Sequence, residues 1–402
     1  MTTFSFSLSA LTSILILLCT LIAADQTLLH DDIVLPICSF LNYQFPGRIA
    51  FPGSNAYHSQ IATYWASNQG ELYSSCRITP WDIADLQGIM YFISLADVAF
   101  AVKSGGHSVV ANTSNIEEGT VIDLVLLNHI NVNLENKYVD LGMGARWIDV
   151  YEKLKDQPYG VAGARAGSVG VGGYLLGGGL SVYQGVAGWA CDSAVLLEVV
   201  LANGTLLEVS QGQHPHLYKA LKGGATNFGI VSRARIRLIP SLPTIDIKML
   251  QYDLAQLNSL LNAVVRYNSY AAKDPLATAS LSIGTQLGGP ARISISVVLT
   301  HPICINNSLV LQPFFSIPHN IGTQQRMSQY DLALLYDQMN PRGYRQVRTT
   351  STVLNNAHTL EPIRKAMYAL VEYFSSLNDT DVQVGFLIQP LTLPHLRASV
   401  TA

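Results

Sequence analysis

AVKSGGHSVV, residues 101–110, ends an apolar run on two glycines and a histidine. The run 98–102 reads as a strand. Before it, Thr79-Pro80-Trp81-Asp82 resembles a helix start, with Thr79 as N-cap and Pro80 at the first helical position. Ile83, Leu86, Ile89, Met90 and Ile93 follow at helical spacing. Helix, strand and glycine turn make an α/β unit. A glycine turn at a strand end can cradle an anion, because glycine admits positive φ and close backbone approach. The histidine is then open to four roles: base, metal ligand, covalent anchor or surface residue.

A second and denser cluster, GARAGSVGVGGYLLGGGLS, occupies residues 163–181. It completes no common nucleotide signature. Gly170-Val171-Gly172 is followed at the third position by Leu175, so the G-x-G-x-x-G fingerprint fails, and no Gly-Lys dipeptide exists for a P-loop. H-E-x-x-H, C-x-x-C and G-x-S-x-G are also missing, and no metal site is expected. Two glycine clusters can wrap a large anionic ligand from two sides, or serve only as tight turns.

The chain has 402 residues, 49% hydrophobic and 13% charged, with a formal net charge of -3. That suits a globular protein with a large core. It argues against nucleic acid as partner, since no Lys/Arg block is present to bind phosphates. Residues 10–23 are almost wholly apolar but shorter than the ~20 of a membrane span. With Ala23-Ala24 after them, they read as a secretory signal over residues 1–24, and no other membrane contact is expected. Loss of that segment leaves Cys38, Cys76, Cys191 and Cys304. Asn112, Asn203, Asn306 and Asn378 stand in glycosylation sequons.

Residues 25–72 read as a loop-rich N-terminal segment. Strands are expected over 119–127 and 137–145, a helix over 146–155, and a hairpin about Asn203-Gly204. A short helix at 216–224 and a strand at 228–239 follow. Past the boundary Pro240-Ser241-Leu242-Pro243, strands are expected in LSIGTQ, ARISISVVL and DVQVGFLIQP, and helices over 328–339 and 358–377.

Four motifs occur in order: Lys103-Ser104-Gly105-Gly106-His107-Ser108; Gly167-Ser168-Val169-Gly170-Val171-Gly172-Gly173; Gly188-Trp189-Ala190-Cys191-Asp192; and Asn227-Phe228-Gly229-Ile230-Val231. Together they resemble the berberine-bridge-enzyme-like branch of the vanillyl-alcohol-oxidase flavoproteins, especially its fungal secreted members. The resemblance implies an α+β fold: a PCMH-type FAD-binding domain of two α/β subdomains at 73–243, and a substrate domain at 244–402 with an antiparallel sheet flanked by helices. It implies FAD as cofactor, its pyrophosphate on the turn 104–108, with Lys103 adding charge nearby. It places Gly167, Ser168, Val169, Gly170, Gly172, Gly173, Gly229, Ile230 and Val231 around the cofactor.

In that family the motif histidine bonds covalently to the flavin, which makes His107 the anchor. A second link through cysteine is common, but its place is taken here by Ala166, so a single histidyl link is expected. Val169 matches a position where a small residue accompanies oxidase behaviour. Tyr174 stands where a hydrogen bond to the reduced ring is possible, or simple packing. Gln389 resembles a sheet position facing the flavin and the substrate. Cys38 and Cys76 match an N-terminal disulfide. Cys191 reads as a buried small residue, and Cys304 has no evident partner.

The implied reaction is oxidation of a small organic molecule by hydride transfer to FAD, with O2 as acceptor and H2O2 as product. An oxidative cyclase of a fungal biosynthetic pathway is the second reading. Because the resemblance implies a further segment after Gln389-Pro390, a truncated, inert flavoprotein or binding protein is the third. A secreted monomer is expected. The catalytic base is not assignable from these residues.

Overall fold

The computed structural model describes residues 31–241, 243–285, 293–376 and 383–401. The signal-like segment and Asn378 lie outside them. The N-terminal stretch is more helical than its mixed sequence implies. Helices Asp31–Gln44 and Asn55–Ile61 form there, the first in spite of Pro36. Val34, Ile37, Cys38 and Leu41 bury one face of the first helix in the main core. The Cys38–Cys76 disulfide fixes that helix to the strand beginning at Cys76.

Strands β1 (Ile49–Ala50), β2 (Cys76–Ile78), β3 (Phe100–Lys103) and β4 (Thr120–Asp123) form a sheet in the order β1-β2-β4-β3. β4 runs parallel to both β2 and β3. The helix Ile83–Leu95 makes the crossover between β2 and β3, as parallel pairing requires. It begins later than expected. Asp82 is the N-cap, its carboxylate accepting from the Asp85 N–H at 2.9 Å. Thr79 instead holds the loop, its hydroxyl accepting from Gln60 at 3.0 Å.

A second sheet follows. It uses β5 (Ile130–Asn133) and β6 (Tyr138–Gly142); after a two-residue β7 (Tyr159–Gly160) come β8 (Ala194–Val200), β9 (Leu206–Val209) and β10 (Ile230–Arg237). The order is β5-β6-β10-β8-β9, antiparallel throughout. The expected strand over 119–127 is shorter, because residues 124–127 turn: Leu127 N–H donates to the Leu124 carbonyl. β5 was not expected; it is only four residues long and only partly buried. The Asn203-Gly204 hairpin joins β8 and β9, with Gly204 at φ +76. One apolar core, centred on Leu141, Trp147, Val199 and Ile236, joins both sheets.

β11 (Ile239–Pro240) pairs with β7 and leads to the third sheet. It comprises β12 (Ile245–Tyr252), β13 (Thr278–Thr285), β14 (Ile293–His301), β15 (Ile321–Met327) and β16 (Gly385–Ile388), ordered β15-β12-β14-β13-β16 and antiparallel. Helices Leu257–Tyr270 and Ala357–Ser376 cover one face, with their own core around Leu281, Val297 and Phe314. The helices Leu257–Tyr270 and Leu393–Thr401 were not anticipated. A small shared core of Val182, Tyr183, Ile245, Ile247, Val298 and Leu332 joins this unit to the rest. This is the α+β, PCMH-type arrangement. Among the described residues no helix is long and apolar enough to cross a membrane, and no side-chain cluster suits a metal ion.

Candidate functional site

The glycine turn after β3 rests on buried charge. Lys103 Nζ donates to Asp123 Oδ2 at 2.7 Å, with the two side chains 2% and 1% exposed. The pairing follows from the parallel register, which sets Lys103 beside Asp123. This corrects the expected role of Lys103. Its ammonium is buried and already paired with Asp123, as a buried cation must be, so it is not a free charge beside the turn. Burial also holds the Lys103 pKa below the ordinary lysine value.

Further polar groups complete the support. Arg77 donates to Gln60, Asn115 and the Tyr64 hydroxyl at 2.9, 3.0 and 2.9 Å. Tyr64 in turn donates to the Ser114 carbonyl at 2.5 Å. Every member has a partner, so the network is rigid where an unpaired one would be costly.

The two glycine clusters meet directly above this base. A Cβ on Gly105 would come 2.2 Å from the Gly170 nitrogen, and one on Gly170 would come 2.1 Å from the Gly105 nitrogen. Only glycine permits that approach. Ser104 Oγ donates to the Met143 carbonyl at 2.6 Å and accepts from Gly172 N–H at 3.3 Å. Met143 N–H donates to the Ser232 carbonyl, which ties the cradle to β10.

Gly229 takes φ +136 at the head of β10, and Ile230 and Val231 turn their side chains into the core. Their contribution is therefore through backbone and packing. Space remains open at Gly173. Ser108 closes its own loop, sharing a 2.5 Å hydrogen bond with Thr113.

Ser168 is clamped from two sides. Its N–H and Oγ donate to Asp337 at 2.9 and 2.5 Å, and its carbonyl accepts from Arg146 at 2.6 Å. Gly167 is closely packed between Ile148 and Asp337. Val169 follows immediately, its carbonyl accepting from Trp147 N–H. Tyr174 donates to the Gly163 carbonyl at 3.1 Å and packs edge-on against Trp147. Of its two expected roles, the structure gives it packing; with the hydroxyl committed to a carbonyl, it is not a free donor.

His107 is half-buried, and its Nε2 is buried without a hydrogen-bond partner. The imidazole stacks on Trp65, centroids 5.2 Å apart and planes 14° apart. Burial, then the Arg146 and Arg348 charges, lower its pKa to about 4. The ring is neutral at physiological pH and keeps a nucleophilic lone pair.

Trp65 is itself held on three sides. Its indole N–H donates to the Asn340 carbonyl at 3.0 Å, its backbone N–H to the Gly106 carbonyl at 3.1 Å, and its carbonyl accepts from Gly343 at 2.8 Å. The Arg348 guanidinium lies 4.9 Å from the indole centroid.

Gln389 reaches the start of the second cluster, its carboxamide oxygen accepting from Arg165 at 2.8 Å. Arg165 also lies over the Tyr336 ring. Ala166 supplies no thiol. Cys191 is buried and free, its pKa pushed up to about 11 mainly by burial, and Cys304 is free and half-buried. Asn112, Asn203 and Asn306 are exposed.

Sequence reasoning missed Trp65, Arg146, Arg165, Asp337 and Arg348. Arg165 lies inside a cluster already singled out and could have been flagged there. The others are brought in by tertiary contacts.

Residues 74–210 match the FAD binding domain family. The FAD-dependent monooxygenase sdcF of Emericella nidulans is 34% identical over 336 residues, 83% of this chain and 69% of that protein. The fold resembles 6-hydroxy-D-nicotine oxidase of Arthrobacter nicotinovorans, with TM-score 0.66 at 18% identity, over 75% of this chain and 66% of that one. It also resembles the wild-type BBE-like 1 of Physcomitrella patens, with TM-score 0.65 at 20% identity, over 76% and 65%. The chain thus spans about two thirds of the length of these proteins. With a glycine cradle, an FAD-binding sequence match and this fold, the chain belongs to the FAD-linked oxidoreductases of the VAO/PCMH type.

Proposed function

We propose that the chain is a secreted FAD-dependent oxidase of a small organic molecule, with FAD held by one covalent bond to His107. The observation that carries this reading is the unpartnered, buried Nε2 of His107 beside two interlocked glycine turns. The residues fit FAD. Glycine backbone at 105–106 and 170–173 can approach a pyrophosphate, Arg146 supplies positive charge, and His107 is neutral and unpaired. When bound, FAD supplies hydride acceptance and electron transfer to dioxygen.

The chain's own residues orient and shield. Ser104 locks the two turns together. Asp337 and Arg146 fix Ser168, and through it the small Val169 that suits access by O2. Gln389 and Arg165 mark the substrate side, where β12–β16 form the wall. In this reading residues 73–243 hold the cofactor, residues 244–402 the substrate, and exposed sequons carry glycans.

Acid precipitation tests the anchor. Yellow colour retained in the wild-type pellet, and lost from the His107→Ala pellet, supports it; a colourless wild-type pellet refutes it. Peroxide release across sugars, alcohols and aromatic metabolites then tests turnover. A second reading, oxygenation or oxidative cyclisation in a fungal biosynthetic pathway, is favoured by the name of sdcF as a monooxygenase. Incorporation of isotopically heavy dioxygen into product, in place of peroxide release, would select oxygenation.

A further inference from the structure

The segment after the helix Gln329–Met339 crosses back over the first unit and lies along residues 65–71. Ala66 and Tyr344 form a parallel bridge, and Ser67 N–H donates to the Tyr344 carbonyl. Asn68 accepts from Gln346 N–H at 3.2 Å and donates to the Val109 carbonyl at 2.8 Å. Arg345 pairs with Glu71. The effect is to bring Arg348 over Trp65, on which His107 is already stacked.

A stacked indole would ordinarily welcome an imidazolium, since its π face attracts cations. Here the same indole already carries a guanidinium. A second cation on it is repelled, while a neutral imidazole is not.

We propose that Trp65 and Arg348 are positioning residues for flavin attachment: Trp65 sets the plane of the His107 ring, and Arg348 places a competing positive charge on the same indole. The inference rests on the covalent reading above. In attachment, one imidazole N–H bond and one C–H bond of a flavin methyl group break, and an N–C bond forms. The two protons and two electrons released pass to O2 as H2O2, so the balance closes with dioxygen as oxidant. An imidazolium has no lone pair for that bond. The charged groups reaching His107 are Arg146 at the head of the helix Trp147–Leu154 and Arg348 on the crossing segment. Both add to burial, the larger influence, in acting against protonation.

The test uses the full chain made under flavin limitation and then given FAD. Aliquots are acid-quenched, and covalent flavin is read as fluorescence in a denaturing gel, across roughly pH 5 to 8. Wild type should attach flavin at a nearly constant rate over this range. Arg348→Gln should lose rate at the acid end, with Arg348→Lys restoring it, and high salt should mimic Arg348→Gln because that charge is exposed. Trp65→Ala should slow attachment about tenfold or more at every pH, and Trp65→Phe should recover part of it.

Flavin absorbance before acid reports whether each variant folds and binds. Should Trp65→Ala fail to bind, Trp65→Phe and the Arg348 pair carry the test. Covalent flavin in wild type with unchanged rates and pH profiles in the variants overturns this inference alone. Wholly acid-extractable wild-type flavin overturns the covalent reading and this inference with it.

Discussion

Replacing Lys103 by Met tests the placement of charge under the glycine turn. The substitution keeps most of the side-chain volume and removes the ammonium. Asp123, 1% exposed, then loses its 2.7 Å partner and retains only the Val125 N–H at 3.2 Å. An uncompensated buried carboxylate of this kind costs about 3–5 kcal/mol. That is a large share of the about 5–15 kcal/mol that holds a domain folded. Asp123→Asn alone should also destabilise, since Lys103 keeps its charge. The double variant should recover much of the loss, because both desolvation costs are gone, giving a coupling of about 2–3 kcal/mol. Urea unfolding of the four proteins measures this. FAD content should survive in the double variant, since the Lys103 charge is already neutralised by Asp123. The reasoning fails if Lys103→Met lies within ~0.5 kcal/mol of wild type, or if the double variant loses FAD while remaining folded.

Cys38→Ser should lower stability by about 4 kcal/mol, since the disulfide closes a loop of sequence separation 38; thermal unfolding with and without reductant should converge on the variant. Asp337→Ala leaves two Ser168 donors without their carboxylate, at a cost of about 2 kcal/mol by denaturant melt. If Val169 sits at the oxygen path, the same variant should change flavin reoxidation more than substrate-driven reduction in stopped-flow. Before flavin attachment, His107 should make stability fall on acidification. Its folded pKa is about 4 against 6.5 unfolded, so the unfolded chain takes the proton first as pH drops through that window. The loss is at most roughly 3 kcal/mol, and His107→Gln should flatten that limb of the pH–stability curve.

The cradle was legible because its determinants are local. Glycine at 105 and 170 and a histidine two positions after the first are visible without any contact map, and their meaning lies in backbone geometry. The disulfide was legible only through family resemblance. Lys103 was misread because its decisive partner comes from the next strand of the sheet, and β-register is not written in ten residues. Thr79 lost the cap to Asp82 although both are good capping residues; the competition was settled by where β2 ends. The helix Asp31–Gln44 was hidden by Pro36 and by flanking polar residues. Trp65 and Arg348 carry no local signal, since they are far apart in the chain and meet only through the segment that returns across the first unit.

The two walls of the cradle are joined by Ser104 and Gly172, which stand 68 positions apart. The two walls cannot be joined until both have been synthesised. A ribosome must have released both halves, and the second sheet must have closed behind Met143, before any cofactor could lodge there. Loading therefore becomes a checkpoint in biogenesis. Free-energy gain from the ligand accrues only to the finished fold, so cofactor supply during synthesis should govern how much of the protein escapes proteolysis as well as how much is coloured.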